Sequence, residues 1–117
     1  MQNAFGIALR EKRRVAGLSQ RELAEQSSLD FSYISKVENG RLPPPAADTI
    51  VLISEILSTP AEELLALTGK LPSEVQQTIS GSRSAQEFLR EAQKMGLTDD
   101  EWGRMAKSLR TLRGRRR

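Results

Sequence analysis

Between Leu18 and Gly40 the chain reads LSQRELAEQSSLDFSYISKVENG, a stretch with little freedom to be anything but two short helices joined by a tight turn. Ser19 carries an oxygen suited to capping a helix, and Glu22, three residues on, completes a capping box before Leu23 and Ala24 begin an apolar side. The predicted helix runs from about Gln20 to Ser27. Ser28, Leu29 and Asp30 connect it to a second helix that Asp30 can cap, with Ile34 and Val37 on one face. Asn39 and Gly40 then supply a stop. Helices of about two turns joined so closely must cross steeply, and small Ala24 lets the second backbone approach the first.

These residues carry a resemblance. Gly17-Leu18-Ser19-Gln20, Glu22-Leu23-Ala24, the run Tyr33-Ile34-Ser35-Lys36-Val37-Glu38-Asn39-Gly40 and the later Glu62-Glu63-Leu64-Leu65 are similar to the phage repressor/Cro-like group of prokaryotic transcription regulators, the xenobiotic-response-element-type helix-turn-helix family. The resemblance covers roughly Asn3 to Leu67 and implies a DNA-binding domain of five helices. One departure stands at the turn, where Ser28 occupies a position that is usually Gly in the family. A left-handed backbone there costs a serine on the order of 1 kcal/mol relative to glycine.

Composition narrows the function classes. A chain of 117 residues, 38% hydrophobic, supports one compact domain with a small helical annex, and no sheet is needed. The absence of cysteine excludes a disulfide scaffold and cysteine-ligated metal, and the absence of histidine removes the commonest general base and zinc ligand. No cofactor or metal is therefore expected, and an enzyme is the least favoured class. No apolar run approaches the ~20 residues that span a membrane and the N-terminus lacks a signal-peptide core, so the cytoplasm is the default, and the resemblance implies that of a prokaryote, at the nucleoid. Net charge is only +3, with −1 over residues 1–70 and +4 over 71–117, so attraction to DNA must come from where charges are placed.

The periodicity predicts an all-α chain. A first helix from about Asn3 to Ala16 turns Phe5, Leu9 and Ala16 inward and closes at Gly17-Leu18. After the two helices already described, Arg41-Leu42-Pro43-Pro44-Pro45 is a stiff loop. A fourth helix, about Ala47 to Leu57, points Ile50, Ile53 and Leu57 inward, and Thr59-Pro60-Ala61-Glu62 reads as the capped start of a fifth that ends near Leu67. Thr68-Gly69-Lys70 is the clearest boundary. Beyond it come a short helix, Pro72 to Ser80, and two longer apolar stripes: Ala85, Phe88, Leu89, Ala92 and Met95, then, after a capping box at Thr98 and Glu101, Trp102, Met105, Ala106, Leu109 and Leu112. These suggest an antiparallel helical hairpin with more apolar surface than two helices can hide. The expected organisation is a DNA-binding domain over 1–69, a helical dimerisation or partner-binding extension over 70–112, and a disordered basic tail over 113–117.

Candidate site residues follow from that layout. Gln20 opens the second helix, where its side chain and free backbone amides can meet a phosphate, the alternative being a merely solvated residue. Phe31, Ser32, Ser35 and Lys36 lie on the outward side of the third helix, whose N-terminal part reaches base edges in a major groove. Phe31 is the informative one, because an exposed aromatic at a helix start has no core role and can contact a thymine methyl. Tyr33 either donates to a phosphate or packs on the core edge, and Asn39 and Arg41 begin a loop placed to follow the sugar-phosphate backbone. The resemblance pairs Arg13 with Glu38 as a partly buried brace. Phe88, Leu89, Trp102, Met105 and Leu109 are candidates for a dimer or partner interface. The expected function is a dimeric repressor that occludes a palindromic operator in double-stranded DNA. An antitoxin-like or partner-controlled regulator, or a coactivator-like adaptor, remains as the alternative.

Overall fold

The computed structural model describes residues 3–113, and these form eight helices with no strand: α1 (Ala4–Val15), α2 (Gln20–Ser27), α3 (Phe31–Glu38), α4 (Ala47–Ile56), α5 (Ala61–Leu65), α6 (Ser73–Ser80), α7 (Arg83–Met95) and α8 (Asp99–Thr111). None of them is long and apolar enough to cross a membrane. The expected tail lies almost wholly outside the described residues, which end at Arg113.

One device ends the first four helices. At each end a residue with positive φ reverses the chain, its amide bonding the carbonyl three residues back while the following amide bonds the carbonyl five back. The pairs are Gly17 to Arg14 with Leu18 to Arg13, Ser28 to Glu25 with Leu29 to Ala24, Gly40 to Val37 with Arg41 to Lys36, and Ser58 to Glu55 with Thr59 to Ser54. Glycine suits two of these positions, but Ser28 (φ 58°) and Ser58 (φ 55°) adopt the left-handed region at a steric cost. The starts are less uniform. Ser19 and Glu22 form a reciprocal capping box on α2, as do Thr98 and Glu101 on α8. The expected caps of Asp30 and of Thr59 with Glu62 do not form: no side chain caps α3 or α5, and the Asp30 carboxylate accepts from the Ser32 hydroxyl instead. Helix α5 also ends at Leu65, before the expected Leu67, and Ala16 is exposed rather than inward because α1 has already ended.

The chain divides into two compact units, the first ending at Gln76. In the first, Phe5 and Leu9 of α1, Leu23 and Ala24 of α2, Ile34 and Val37 of α3, Ile50 and Ile53 of α4, Leu57, and Leu64 and Leu65 of α5 make one buried cluster. The division falls within α6 rather than at the expected 69/70 boundary, because residues 70–73 are tied back to the start of α4. Lys70 Nζ donates to the carbonyls of Pro44 and Pro45 at 3.1 and 2.8 Å. Ser73 donates its amide (2.9 Å) and its hydroxyl (2.6 Å) to the Asp48 carboxylate, which those bonds hold below its ordinary range.

The second unit is different in kind. Its helices α7 and α8 are joined through Gly96-Leu97-Thr98, and among the described residues only Ala92 is buried in it. Phe88, Trp102, Met105 and Leu109 line one apolar groove and stay exposed, whereas Leu89 lies off that groove.

Gly6 sets how closely α1 can approach the end of α3. A Cβ there would lie 2.5 Å from Asn3 Oδ1 and 2.6 and 2.7 Å from the carbonyl oxygens of Val37 and Glu38, two of them immovable backbone. Gly6→Ala is expected to destabilise the protein by about 1–3 kcal/mol, the cost of overpacking a fitted contact. Ser28→Gly should do the opposite, adding up to about 1 kcal/mol by relieving the left-handed serine. Urea unfolding of both variants checks the pair, and equal or reversed effects would contradict this packing.

Candidate nucleic-acid interface

The third helix presents two faces. Ile34, Val37 and Glu38 are buried, while Phe31, Ser32 and Lys36 are exposed and Ser35 is half-buried. The apolar pair anchors the helix in the core, but its last residue is a carboxylate with a fully enclosed side chain. A buried charge without partners would be prohibitive, so the neighbours of Glu38 decide the geometry.

Those neighbours come from two other helices. Arg13 of α1 donates from Nε to Glu38 Oε2 at 2.7 Å and from Nη2 to Oε1 at 2.9 Å, a bidentate pair, and its Nη1 donates to the Leu18 carbonyl at 2.9 Å. Gln20 at the start of α2 donates its Nε2 to the same Oε1 at 2.9 Å, and Arg10 Nε reaches it at 3.5 Å. Asn3 Nδ2 donates to the Glu38 main-chain carbonyl at 2.9 Å. Burial pushes the Glu38 carboxyl up, but the hydrogen bonds from Arg13, Gln20 and Arg10, with the charge of Arg13, outweigh it and hold the group below the usual glutamate range. Arg13 is held above its ordinary value by its bond to Glu38, against the opposing effect of burial.

Several sequence-derived candidates therefore have a different immediate environment from the one expected. The Gln20 side chain is turned to Glu38, so its amide donor is already engaged. Asn39 is exposed, yet its Oδ1 accepts from Arg10 Nη2 at 2.9 Å. Tyr33 packs partly buried against the core, and burial raises its phenol. Arg41 is exposed just past the end of α3. Two residues were missed from sequence. Arg10 belongs to the basic run Arg10, Lys12, Arg13 and Arg14, which from sequence reads as a solvated face, although its i, i+3 spacing to Arg13 places both on one face of α1. Arg21 gave no local signal, and it lies over the Phe31 ring, 4.3 Å from the centroid.

The Glu38 cluster makes stability depend on pH with a definite sign. A carboxyl whose folded pKa is below its unfolded one, about 4.3 for glutamate, stabilises the fold above that pH and loses the contribution as pH falls through the folded value. Glu38→Gln is expected to lower stability at neutral pH by about 3–5 kcal/mol, because Arg13 is left without its counter-charge. The same variant should lose less further stability than the parent between neutral pH and the acid range. Urea midpoints across that range check this, and parallel acid limbs would contradict it.

Comparison with known proteins agrees with this geometry. A helix-turn-helix domain family matches residues 4–67. The chain is 35% identical over 95 residues to a protein of Bacillus subtilis named as an uncharacterized HTH-type transcriptional regulator, RghRB, covering 79% of this chain and 68% of that one. It is 41% identical over 73 residues to the similarly named Rv0474 of Mycobacterium tuberculosis, covering 62% of this chain and about half (51%) of that relative. Among solved structures it resembles a chain of the SinR protein/SinI protein complex, with a TM-score of 0.51 and 20% identity over 95% of this chain and 99% of that one, a likeness of fold. The bracing of an exposed short helix on a tight turn, the family match over five helices and the similarity to named regulators lead to one conclusion: this chain belongs to the DNA-binding helix-turn-helix family of transcriptional regulators.

Proposed function

We propose that this protein is a sequence-specific transcriptional repressor that binds a palindromic operator as a homodimer and occludes it. The observation that carries the reading is the division of α3 between a face locked by Ile34, Val37 and Glu38 and a face on which Phe31, Ser32 and Lys36 are exposed. A helix so anchored can enter a major groove without rearranging its scaffold, with Ser32, Ser35 and Lys36 reading base edges and Phe31 meeting a thymine methyl. Backbone amides at the start of α2, with Gln20 beside them, and Arg41 after α3 fix the register on phosphates. Arg10, held beside Asn39, adds a positive charge at the end of α3 where the sugar-phosphate backbone would pass. Tyr33 contributes by packing.

Dimerisation is assigned to the second unit. Phe88, Trp102, Met105 and Leu109 form an apolar groove that two helices leave uncovered, with Leu89 at its side, and a two-fold pairing through such a face is the commonest way to cover it. A dimer of this kind would set its two α3 helices one DNA turn apart, ~34–36 Å. The same exposed face favours one second reading, an antitoxin-like or partner-controlled regulator in which another protein occupies it. A coactivator-like adaptor would share the fold but select no DNA sequence.

Selection of bound duplexes from a random pool is the first test: a defined, two-fold symmetric motif is expected, and an unenriched pool would favour the adaptor. On the selected operator, Lys36→Ala should relax preference at one position of each half-site by about 1–3 kcal/mol. Arg41→Ala should weaken all sequences alike and lower the salt slope by about one. An unchanged motif for Lys36→Ala contradicts its role as a reader.

The oligomeric state is tested separately by light scattering and operator titration, comparing the parent with a Phe88→Glu, Leu109→Glu variant. The parent is expected to be dimeric at micromolar concentration, and the variant monomeric with weakened operator binding. A monomeric parent, or a monomeric variant with full affinity, would transfer the second unit to partner binding.

A further inference from the structure

Phe31 is the first residue of α3 and 36% exposed, which poses a physical problem for a base reader. An exposed ring at a helix start is free to rotate, and ordering it on binding costs conformational entropy. The guanidinium of Arg21, second residue of α2, lies 4.3 Å from the ring centroid. Arg21 is exposed, and this ring is its one polar or electrostatic partner among the described residues. A planar cation at that distance is attracted to the ring face and covers it, while the residue as a whole stays 36% exposed. The contact joins the second residue of α2 to the first residue of α3, so the stacked pair stands where the proposed recognition helix begins.

We infer that Arg21 is a positioning residue for base recognition: it holds the Phe31 ring in the orientation in which the ring packs on the C5 methyl of a thymine. The inference rests on the proposed reading of α3 as the recognition helix. It assigns to Arg21 a contribution to sequence preference that acts through Phe31, distinct from the general attraction any surface arginine has for DNA. A phosphate contact by the same side chain would show in salt dependence and would be indifferent to base identity.

Uracil substitution isolates this effect, because it removes the thymine methyl and nothing else. With the full chain and its selected operator, replacing each thymine in turn by uracil is expected to reveal one position in each half-site at which affinity falls about fourfold, the value of one buried methyl. Phe31→Ala should abolish that penalty. Arg21→Gln should shrink it to less than about twofold with an unchanged salt slope, and Arg21→Lys should restore part of it, as a weaker cation over the same ring. Both positions are exposed, and circular dichroism checks that the variants fold. If Arg21→Gln keeps the whole penalty, whether or not the salt slope drops by about one, the positioning role is overturned while Phe31 remains a reader. If no uracil carries a penalty in the parent, or Phe31→Ala leaves it in place, the assignment of Phe31 itself fails and Arg21 falls with it.

Discussion

A carboxylate sealed inside a protein has to be surrounded by donors, and that requirement at Glu38 organises the first unit. Its two oxygens take the Arg13 fork, the Gln20 amide and, at longer range, Arg10, while its main-chain carbonyl takes Asn3. Those partners sit on α1, just before it, and at the start of α2, so satisfying one charge fixes three helices against each other. The apolar cluster supplies most of the driving force for folding, but apolar contacts tolerate sliding and a bidentate ion pair does not. The consequence for function is a pose. The exposed face of α3 is aimed by a charge that lies on its opposite, buried side.

Close approach is the second condition for that pose. Gly6 lets the main chain of α1 lie against the carbonyls of Val37 and Glu38, and Asn3 then bridges to the end of α3 near Gly40. Lys12 pairs with Glu63 across α1 and α5, which fastens the other flank of α1. What remains outside this bracing is the pair of serines with positive φ that end α2 and α4, where steric strain is accepted to keep the turn short. In the second unit nothing comparable exists among the described residues, since its two helices bury little beyond Ala92. One unit is closed by its own contacts, and the other keeps an apolar groove uncovered.

Whether a feature was legible in sequence depended on how far apart its partners lie. The capping boxes at Ser19/Glu22 and Thr98/Glu101 span three residues and have a chemical signature, and the bounds of α2 follow from it. Apolar spacing likewise identifies Leu9, Leu23, Ile34, Val37, Ile50 and Ile53 as core, because one buried face is a local property of a helix. Asp30 and Thr59 carry the same kind of signature, yet their side chains leave the helix starts uncapped. The need for a small residue at Gly6 arises only when the end of α3 arrives, at Val37 and Glu38. The turn of Gln20 toward Glu38, the bond from Arg10 to Asn39 and the tie from Ser73 to Asp48 are long-range in the same sense, and no spacing rule announces them. The ion pair of Arg13 with Glu38 was suggested by family resemblance alone, since each residue by itself reads as an ordinary surface charge.

The claim that a buried ion pair fixes α3 is most directly tested by a double-mutant cycle on Arg13 and Glu38, replacing each by methionine and measuring unfolding free energy. Each single change leaves an unpaired charge and is expected to cost about 3–5 kcal/mol, whereas the double change removes both charges together and should cost less than their sum. A coupling of about 2–3 kcal/mol is the expected result. Additive losses, with no coupling between the two positions, would contradict the claim and leave the orientation of α3 to the apolar core alone.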